Sequence, residues 1–250
     1  MMLPRTITAS VAALLLAAPA AAADTCRTTR FEGAGYAVCE VPAGADLRLW
    51  QAAPDGRPVA TFDRLAALAR AEGRTLVFAM NAGMYHPDRR PVGLFVKDGR
   101  QAAPIVTRAG PGNFGMLPNG VFCIRPDGAF AVIESRAYAD GAPGCRDASQ
   151  SGPMLVIGGA LHPRFIPGSD SRHIRNGVGV AADGRRAVFA ISDRPVNFHD
   201  FARLFRDHLG LPDALYFDGR ISRLHAPGIG RDDGGFPMGP IVGLLAPAGG

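Results

Sequence analysis

Ala214-Leu215-Tyr216-Phe217 followed by Asp218-Gly219 is a short apolar run that stops at a small polar turn, and it comes directly after a helical pattern. That pattern sets Phe198, Phe201, Leu204, Phe205 and Leu209 at helical spacing between Asn197, a good N-cap, and Gly210, a good C-terminal stop. The chain uses the same unit earlier. Thr61 can cap a helix carrying Phe62, Leu65, Leu68 and Ala69 before Gly73, and Thr75-Leu76-Val77-Phe78-Ala79-Met80 then runs into Asn81-Ala82-Gly83. A buried strand that ends in Asn or Asp presents that side chain from a rigid base. The two turns are therefore expected to converge on one site.

Outward from these units the sequence is punctuated by turn dipeptides. Asp98-Gly99 follows Val92-Gly93-Leu94-Phe95-Val96, Pro126-Asp127-Gly128 follows Gly120-Val121-Phe122-Cys123-Ile124, and Asp183-Gly184 separates Val178-Gly179-Val180 from Ala187-Val188-Phe189-Ala190-Ile191. Each predicts a hairpin, and Gly158-Gly159 predicts a fourth. Gly239-Pro240-Ile241-Val242-Gly243-Leu244-Leu245 can return to a sheet as a last strand. The expected fold class is α+β: strand-rich, mixed or antiparallel sheets with hairpins and a few packing helices, in a single domain over 24–250.

The first residues have a different character. Arg5 precedes the apolar run Val11-Ala12-Ala13-Leu14-Leu15-Leu16-Ala17-Ala18, and Ala21-Ala22-Ala23 supplies a small-residue cleavage site. This pattern predicts a secretory signal peptide over 1–23, cut after Ala23, and a periplasmic or secreted product with no stable membrane insertion. Four cysteines in an exported chain suggest two disulfides. Three connectivities are open, and pairing of sequence neighbours, Cys26 with Cys39 and Cys123 with Cys145, is the simplest.

The formal charge of +5 falls to +4 when Arg5 leaves with the leader. The surplus is scattered arginine, since Lys97 is the single lysine, and no block of like charges appears. Nucleic-acid and membrane-surface binding are not supported by such a distribution. An anionic small substrate is compatible, because guanidinium groups grip phosphate bidentately.

Four stretches go beyond composition: Phe78-Ala79-Met80-Asn81-Ala82-Gly83-Met84-Tyr85, Gln150-Ser151-Gly152-Pro153-Met154-Leu155, Arg175-Asn176-Gly177-Val178-Gly179-Val180, and Ala214-Leu215-Tyr216-Phe217-Asp218-Gly219 with Ser222 following. In this order, and with Asn119-Gly120-Val121-Phe122 between the first two, they resemble the phosphodiester glycosidase family, which includes the uncovering enzyme and many exported bacterial members. The resemblance runs from about Asn81 to Pro240. The family's last motif is usually Asp-Gly-Gly-x-Ser-Ser, and here Arg220 stands where a glycine is expected. The substitution puts charge and bulk beside the expected site.

The resemblance implies hydrolysis of a glycosyl-1-phosphate diester at the sugar C–O bond, with a small-molecule or glycan substrate bearing phosphate. A phosphomonoester leaves with little need of protonation, so the main demands are phosphate binding and stabilisation of a cationic sugar. Asp218 and Arg175 are the implied catalytic pair. Arg175 suits phosphate, and Asp218 can stabilise the oxocarbenium-like transition state, act as nucleophile or activate water. Asn81, Asn119, Ser151 and Asn176 offer hydrogen bonds to substrate, joined by Ser222 beyond the last motif. Gly83, Gly152 and Gly219 permit close backbone approach. Tyr85 can stack on a sugar ring, and His162 and His173 are placed for acid–base work.

No ligand cluster announces a metal, and no cofactor is expected; a divalent cation held by Asp218 and backbone carbonyls is compatible. Two rival readings remain. One is a catalytically inactive envelope module that binds phosphorylated or anionic glycans through the same cleft. The other is a hydrolase with Ser151 as nucleophile, which lacks a G-x-S-x-G elbow.

Overall fold

The computed structural model describes residues 25–249. The expected signal segment, with its cut after Ala23, lies outside the described residues. In chain order the first strands are β1 (Cys26–Phe31), β2 (Ala34–Pro42), β3 (Leu47–Trp50), β4 (Arg74–Asn81), β5 (Phe95–Lys97) and β6 (Arg100–Ala103). The middle of the chain adds β7 (Gly120–Ile124), β8 (Phe130–Glu134), β9 (Asp147–Ser151), β10 (Met154–Ile157), β11 (Ala160–Leu161) and β12 (Asn176–Val180). The remainder forms β13 (Arg186–Ser192), β14 (Asp213–Asp218), β15 (Leu224–Ala226), β16 (Arg231–Asp232) and β17 (Ile241–Pro247). Three short helices interrupt them: α1 (Phe62–Ala71), α2 (Ser135–Gly141) and α3 (Phe198–Arg203).

These strands build one seven-stranded sheet, in the order β1-β2-β13-β12-β14-β10-β11, and two five-stranded sheets, β16-β15-β4-β17-β3 and β6-β5-β9-β7-β8. The registered strand pairs are antiparallel, which puts the domain in the strand-rich α+β class. The predicted hairpins form as β5–β6, β7–β8, β10–β11 and β12–β13. Asp98 and Gly99 both take positive φ, 49° and 72°, the geometry of a tight I′ turn. The closing segment returns as β17, which lies between β4 and β3.

Side-chain alternation explains how the sheets stack. In β14, Leu215 and Phe217 enter a central core shared by all three sheets with Phe78, Phe122 and Phe189, while Ala214 and Tyr216 face the layer made by α3. On its far side, the β4 sheet is covered by α1 through Phe62, Leu65 and Ala69. Thr61 caps α1 by accepting from the Arg64 amide at 3.2 Å, and Asn197 caps α3 by accepting from the Asp200 amide at 2.8 Å. The predicted second helix is α-helical only to Arg203 and continues as a π-turn over Leu204–His208. Helix α2 was not anticipated. Its cap is Glu134, whose carboxylate accepts from the Arg136 and Ala137 amides, a residue type outside the usual capping set.

Both neighbour disulfides are present. Cys26–Cys39 joins directly opposed residues of β1 and β2, and Cys123–Cys145 ties β7 to the segment that leads into β9. Loop closure of this length is worth about 3 kcal/mol each in the chain-entropy account.

Candidate functional site

Three strand ends meet at one place. Asn81 ends β4, Asn176 opens β12 and Asp218 ends β14, so two sheets contribute. All three residues are buried. The Asn176 amide donates from Nδ2 to the Asn81 carbonyl at 2.8 Å and to Asn81 Oδ1 at 3.0 Å. Its Oδ1 accepts from the Asp218 amide at 3.2 Å and from Asn81 Nδ2 at 3.3 Å. Asn81 Oδ1 also takes the Arg223 amide at 2.9 Å. Ser222 closes the cluster by donating to the Asp218 carbonyl at 2.7 Å. Every buried side-chain polar atom among the described residues has a partner, which is the condition under which a buried polar network rigidifies a site.

A bulge sets the last carboxylate. Gly177 opposes Tyr216, but Asn176 opposes Asp218, so Phe217 is the extra residue in β14. The close approach needs glycine: a Cβ on Gly177 would lie 2.5 Å from the Leu215 carbonyl oxygen. Asp218 Oδ1 then accepts the Gly219 and Arg220 amides at 2.6 and 2.8 Å. Burial nevertheless dominates, and the Asp218 carboxyl is held above the ordinary value of 3.8.

Asp218 lies between two cavities. The larger, of 530 Å³, is walled by Tyr85, His86, Arg89, Val92 and Ile221; the smaller, of 330 Å³, by Gly112, Asn113, His173, Tyr216 and Gly219. Met84, Asp218 and Arg220 line both. Their volumes fall within the range of about 300–1,000 Å³ that small-molecule sites occupy. Asp218 is the only carboxylate on either wall, and Arg220, exposed, makes no salt bridge among the described residues.

The other residues singled out in the sequence fall into layers beneath this cleft. Gly219 is on the wall, pressed so closely on the Tyr216 hydroxyl that no Cβ fits. Tyr85 is on the wall too, but its ring is engaged: the Arg89 guanidinium sits 5.3 Å from its centroid and its hydroxyl donates to the Pro237 carbonyl. Arg175 is fully buried and reaches the cleft only through Tyr216, whose hydroxyl it contacts at 3.2 Å. Its other donors go to the Val196 and Ser171 carbonyls, and its plane stacks 3.6 Å over Phe198. Among the described residues no carboxylate faces it, and burial lowers its pKa from the ordinary arginine value. Arg175 thus lies beneath the smaller cavity, and the guanidinium groups on the walls belong to Arg220 and Arg89.

Ser151 donates to the Phe217 carbonyl at 2.9 Å and so braces the bulge. Gly83 is buried; its neighbour Ala82 offers a carbonyl to Ser149 at 2.6 Å. Gly152 packs on Asn119, where a Cβ would come within 2.6 Å. Asn119 donates to the Phe114 carbonyl and accepts from Gln150, whose amide also holds the backbone at Leu94 and Val106. This second network fastens the loop that brings Gly112 and Asn113 to the smaller cavity. Arg89 and Asn113 carried no motif signal. The one local signal that could have drawn attention to Arg89 is the turn sequence His86-Pro87-Asp88-Arg89-Arg90.

His162 is buried away from the cleft. Nε2 donates to the Leu117 carbonyl, Nδ1 accepts the Arg164 amide, and the ring stacks on Phe165 at 4.8 Å. Burial pushes its pKa below the ordinary 6.5, so below that pH the unfolded chain takes up a proton that the native ring refuses. Native stability should therefore fall as pH drops from about 7 to 5, and His162→Gln should show a smaller drop in Tm over that interval than wild type. Equal drops would remove His162 from the acid response.

Among the described residues no group of three or more His, Cys, Asp or Glu side chains is arranged to hold a metal ion, and no helix is long and apolar enough to cross a membrane.

The fold and cleft define an antiparallel three-sheet domain with one strand-end carboxylate set between two cavities of small-molecule size. A family model for phosphodiester glycosidases matches residues 74–224, and the chain belongs to that family. The uncharacterized Escherichia coli (strain K12) protein YigE is 36% identical over 179 residues, which is 72% of this chain and 68% of YigE. Among solved structures, the zebrafish N-acetylglucosamine-1-phosphodiester alpha-N-acetylglucosaminidase catalytic domain, auto-inhibited by its pro-peptide, superposes with a TM-score of 0.59 at 15% identity, covering 88% of this chain and 81% of that one. A hypothetical protein from Synechocystis gives 0.58 at 16% identity, over 88% of this chain and 61% of its own. At these identities the two structures share the fold.

Proposed function

We propose that the chain is an exported hydrolase that cleaves the sugar C–O bond of a glycosyl-1-phosphate diester. The observation that carries this reading is that a single carboxylate, Asp218, and the arginine Arg220 both line the two cavities where they adjoin. A glycosidase acting on an ordinary alkyl glycoside uses two carboxyl groups, one of them to protonate the leaving oxygen. A phosphate leaving group removes that requirement. The smaller cavity suits sugar hydroxyls through Asn113, His173 and Tyr216, and the larger one, which adds Arg89 to Arg220, suits phosphate and its alcohol. As the anomeric C–O bond breaks, the phosphomonoester departs toward Arg220 and positive charge develops on the sugar. Asp218 stabilises that charge and takes a proton from the water that adds to the anomeric carbon, with its raised pKa favouring the base role. Two disulfides support an oxidising compartment such as the periplasm or the exterior.

Hydrolysis in ¹⁸O-labelled water of a panel of sugar-1-phosphate methyl diesters tests this. Label in the released sugar is the expected result. Label in the phosphate would show P–O cleavage, and binding of the panel without turnover would make the protein a glycan-phosphate receptor.

A further inference from the structure

We propose that Arg89 is a second leaving-group residue, which with Arg220 makes a two-guanidinium clamp selective for a phosphomonoester dianion over a phosphodiester monoanion; this rests on the function proposed above. Both arginines line the 530 Å³ cavity. Arg89 has carboxylates within sequence reach but no acid partner. Asp88, its neighbour, is taken by Arg90, with Nε to Oδ2 at 2.6 Å and the Arg90 amide to Oδ1 at 3.1 Å. Asp218, across the cavity, spends Oδ1 on backbone amides rather than on a guanidinium. Neither Arg89 nor Arg220 forms a salt bridge among the described residues.

The turn that carries Arg89 is built to hold it there. Its φ is 71°, a left-handed conformation that strains a non-glycine residue, in a turn closed by 2.8 Å bonds from the His86 amide to the Arg90 carbonyl and from the Arg89 amide to the His86 carbonyl. The side chain lies over Tyr85, which is itself anchored at Pro237 and packed on Gly239. A strained backbone, a stacked guanidinium and an absent counter-ion describe a cation kept for a ligand.

Charge matching says which ligand. The diester substrate carries one negative charge, and the departing monoester acquires a second as the C–O bond breaks, reaching about −1.5 to −2 near neutral pH. One guanidinium neutralises the ground state. A second gains most where the extra charge appears, which is the transition state and the product.

Calorimetric titration of methyl phosphate and dimethyl phosphate into wild type, Arg89→Gly and Arg220→Ala tests the clamp without needing turnover. Glycine suits the turn, so the first variant should fold at least as well as wild type. Wild type is expected to bind methyl phosphate at least 10-fold more tightly than dimethyl phosphate. Arg89→Gly should weaken methyl phosphate about 10-fold and dimethyl phosphate less than 3-fold, whereas Arg220→Ala should weaken both. Equal affinities in wild type, or an unchanged preference in Arg89→Gly, would overturn the proposal. Because the ligands are not substrates, either result stands whether or not the diesters are hydrolysed.

Discussion

Asp218→Asn should lower kcat/KM on a glycosyl phosphodiester by about 10³-fold, or ~4 kcal/mol of transition-state stabilisation, with the fold intact. Asn keeps an oxygen for the Gly219 and Arg220 amides, so the turn retains its hydrogen bonds while the charge and the base are lost. The wild-type rate should also have an acid limb set by Asp218, above the ordinary carboxylate value because burial disfavours the ionised form. For stability the sign is the reverse of that for a salt-bridged acid. Between the unfolded value and the raised native one, the native state holds the proton that the unfolded chain has released. Wild type therefore loses stability as pH rises through this window, and the Asn variant does not. Thermal unfolding against pH measures the second effect, and initial rates on the same samples measure the first. A variant with a tenth or more of wild-type turnover would remove Asp218 from the chemistry.

Asn176→Ala should destabilise the protein by about 3–4 kcal/mol, near 10 °C in Tm for a domain of this size, and reduce turnover even in the fraction that stays folded. The side chain is completely buried and serves five partners: the Asn81 carbonyl and both polar atoms of its amide, the Asp218 amide and the Ser222 hydroxyl. Alanine fills none of the space and leaves several of these groups unsatisfied, each at a cost of about 1–3 kcal/mol. The Asp218 amide is among them, so the carboxylate loses its anchor as well. Asn176→Asp makes a useful contrast, because it keeps an acceptor for Asp218 but withdraws the donor from Asn81. A loss below about 0.5 kcal/mol for Asn176→Ala would mean that the two sheets are joined by apolar packing alone.

Much of this was legible in the chain. The two helix–strand–turn units end where they were expected to, because capping residues, apolar spacing and a terminal glycine are local signals. The hairpins were equally local. What sequence does not carry is partnership over long separation. Asn81 and Asn176 are 95 residues apart, and nothing in either stretch says that their amides pair with each other before they meet a substrate. Arg175 shows the same gap: its position ahead of Asn-Gly suggests an exposed phosphate ligand, but Phe198, at the start of α3, covers its face. Arg89 was hidden for a different reason. A run of charged residues in a turn reads as solvated surface, and only the Asp88–Arg90 pairing shows which arginine is left over.

The extra residue in β14 bears on how this scaffold can change. Phe217 is locked in the central core, and Asp218 is counted off from it, so the distance along the chain from Leu215 to the carboxylate tolerates neither insertion nor deletion. One residue fewer would turn the acid toward the opposite face. The segment beyond Gly219, by contrast, is exposed at Arg220 and returns to the sheets only at β15. Varying the side chain at position 220, while Ser222 and the Arg223 amide keep their bonds to Asp218 and Asn81, is therefore the route by which a library could be searched for new ligands without moving the Asp218 carboxylate.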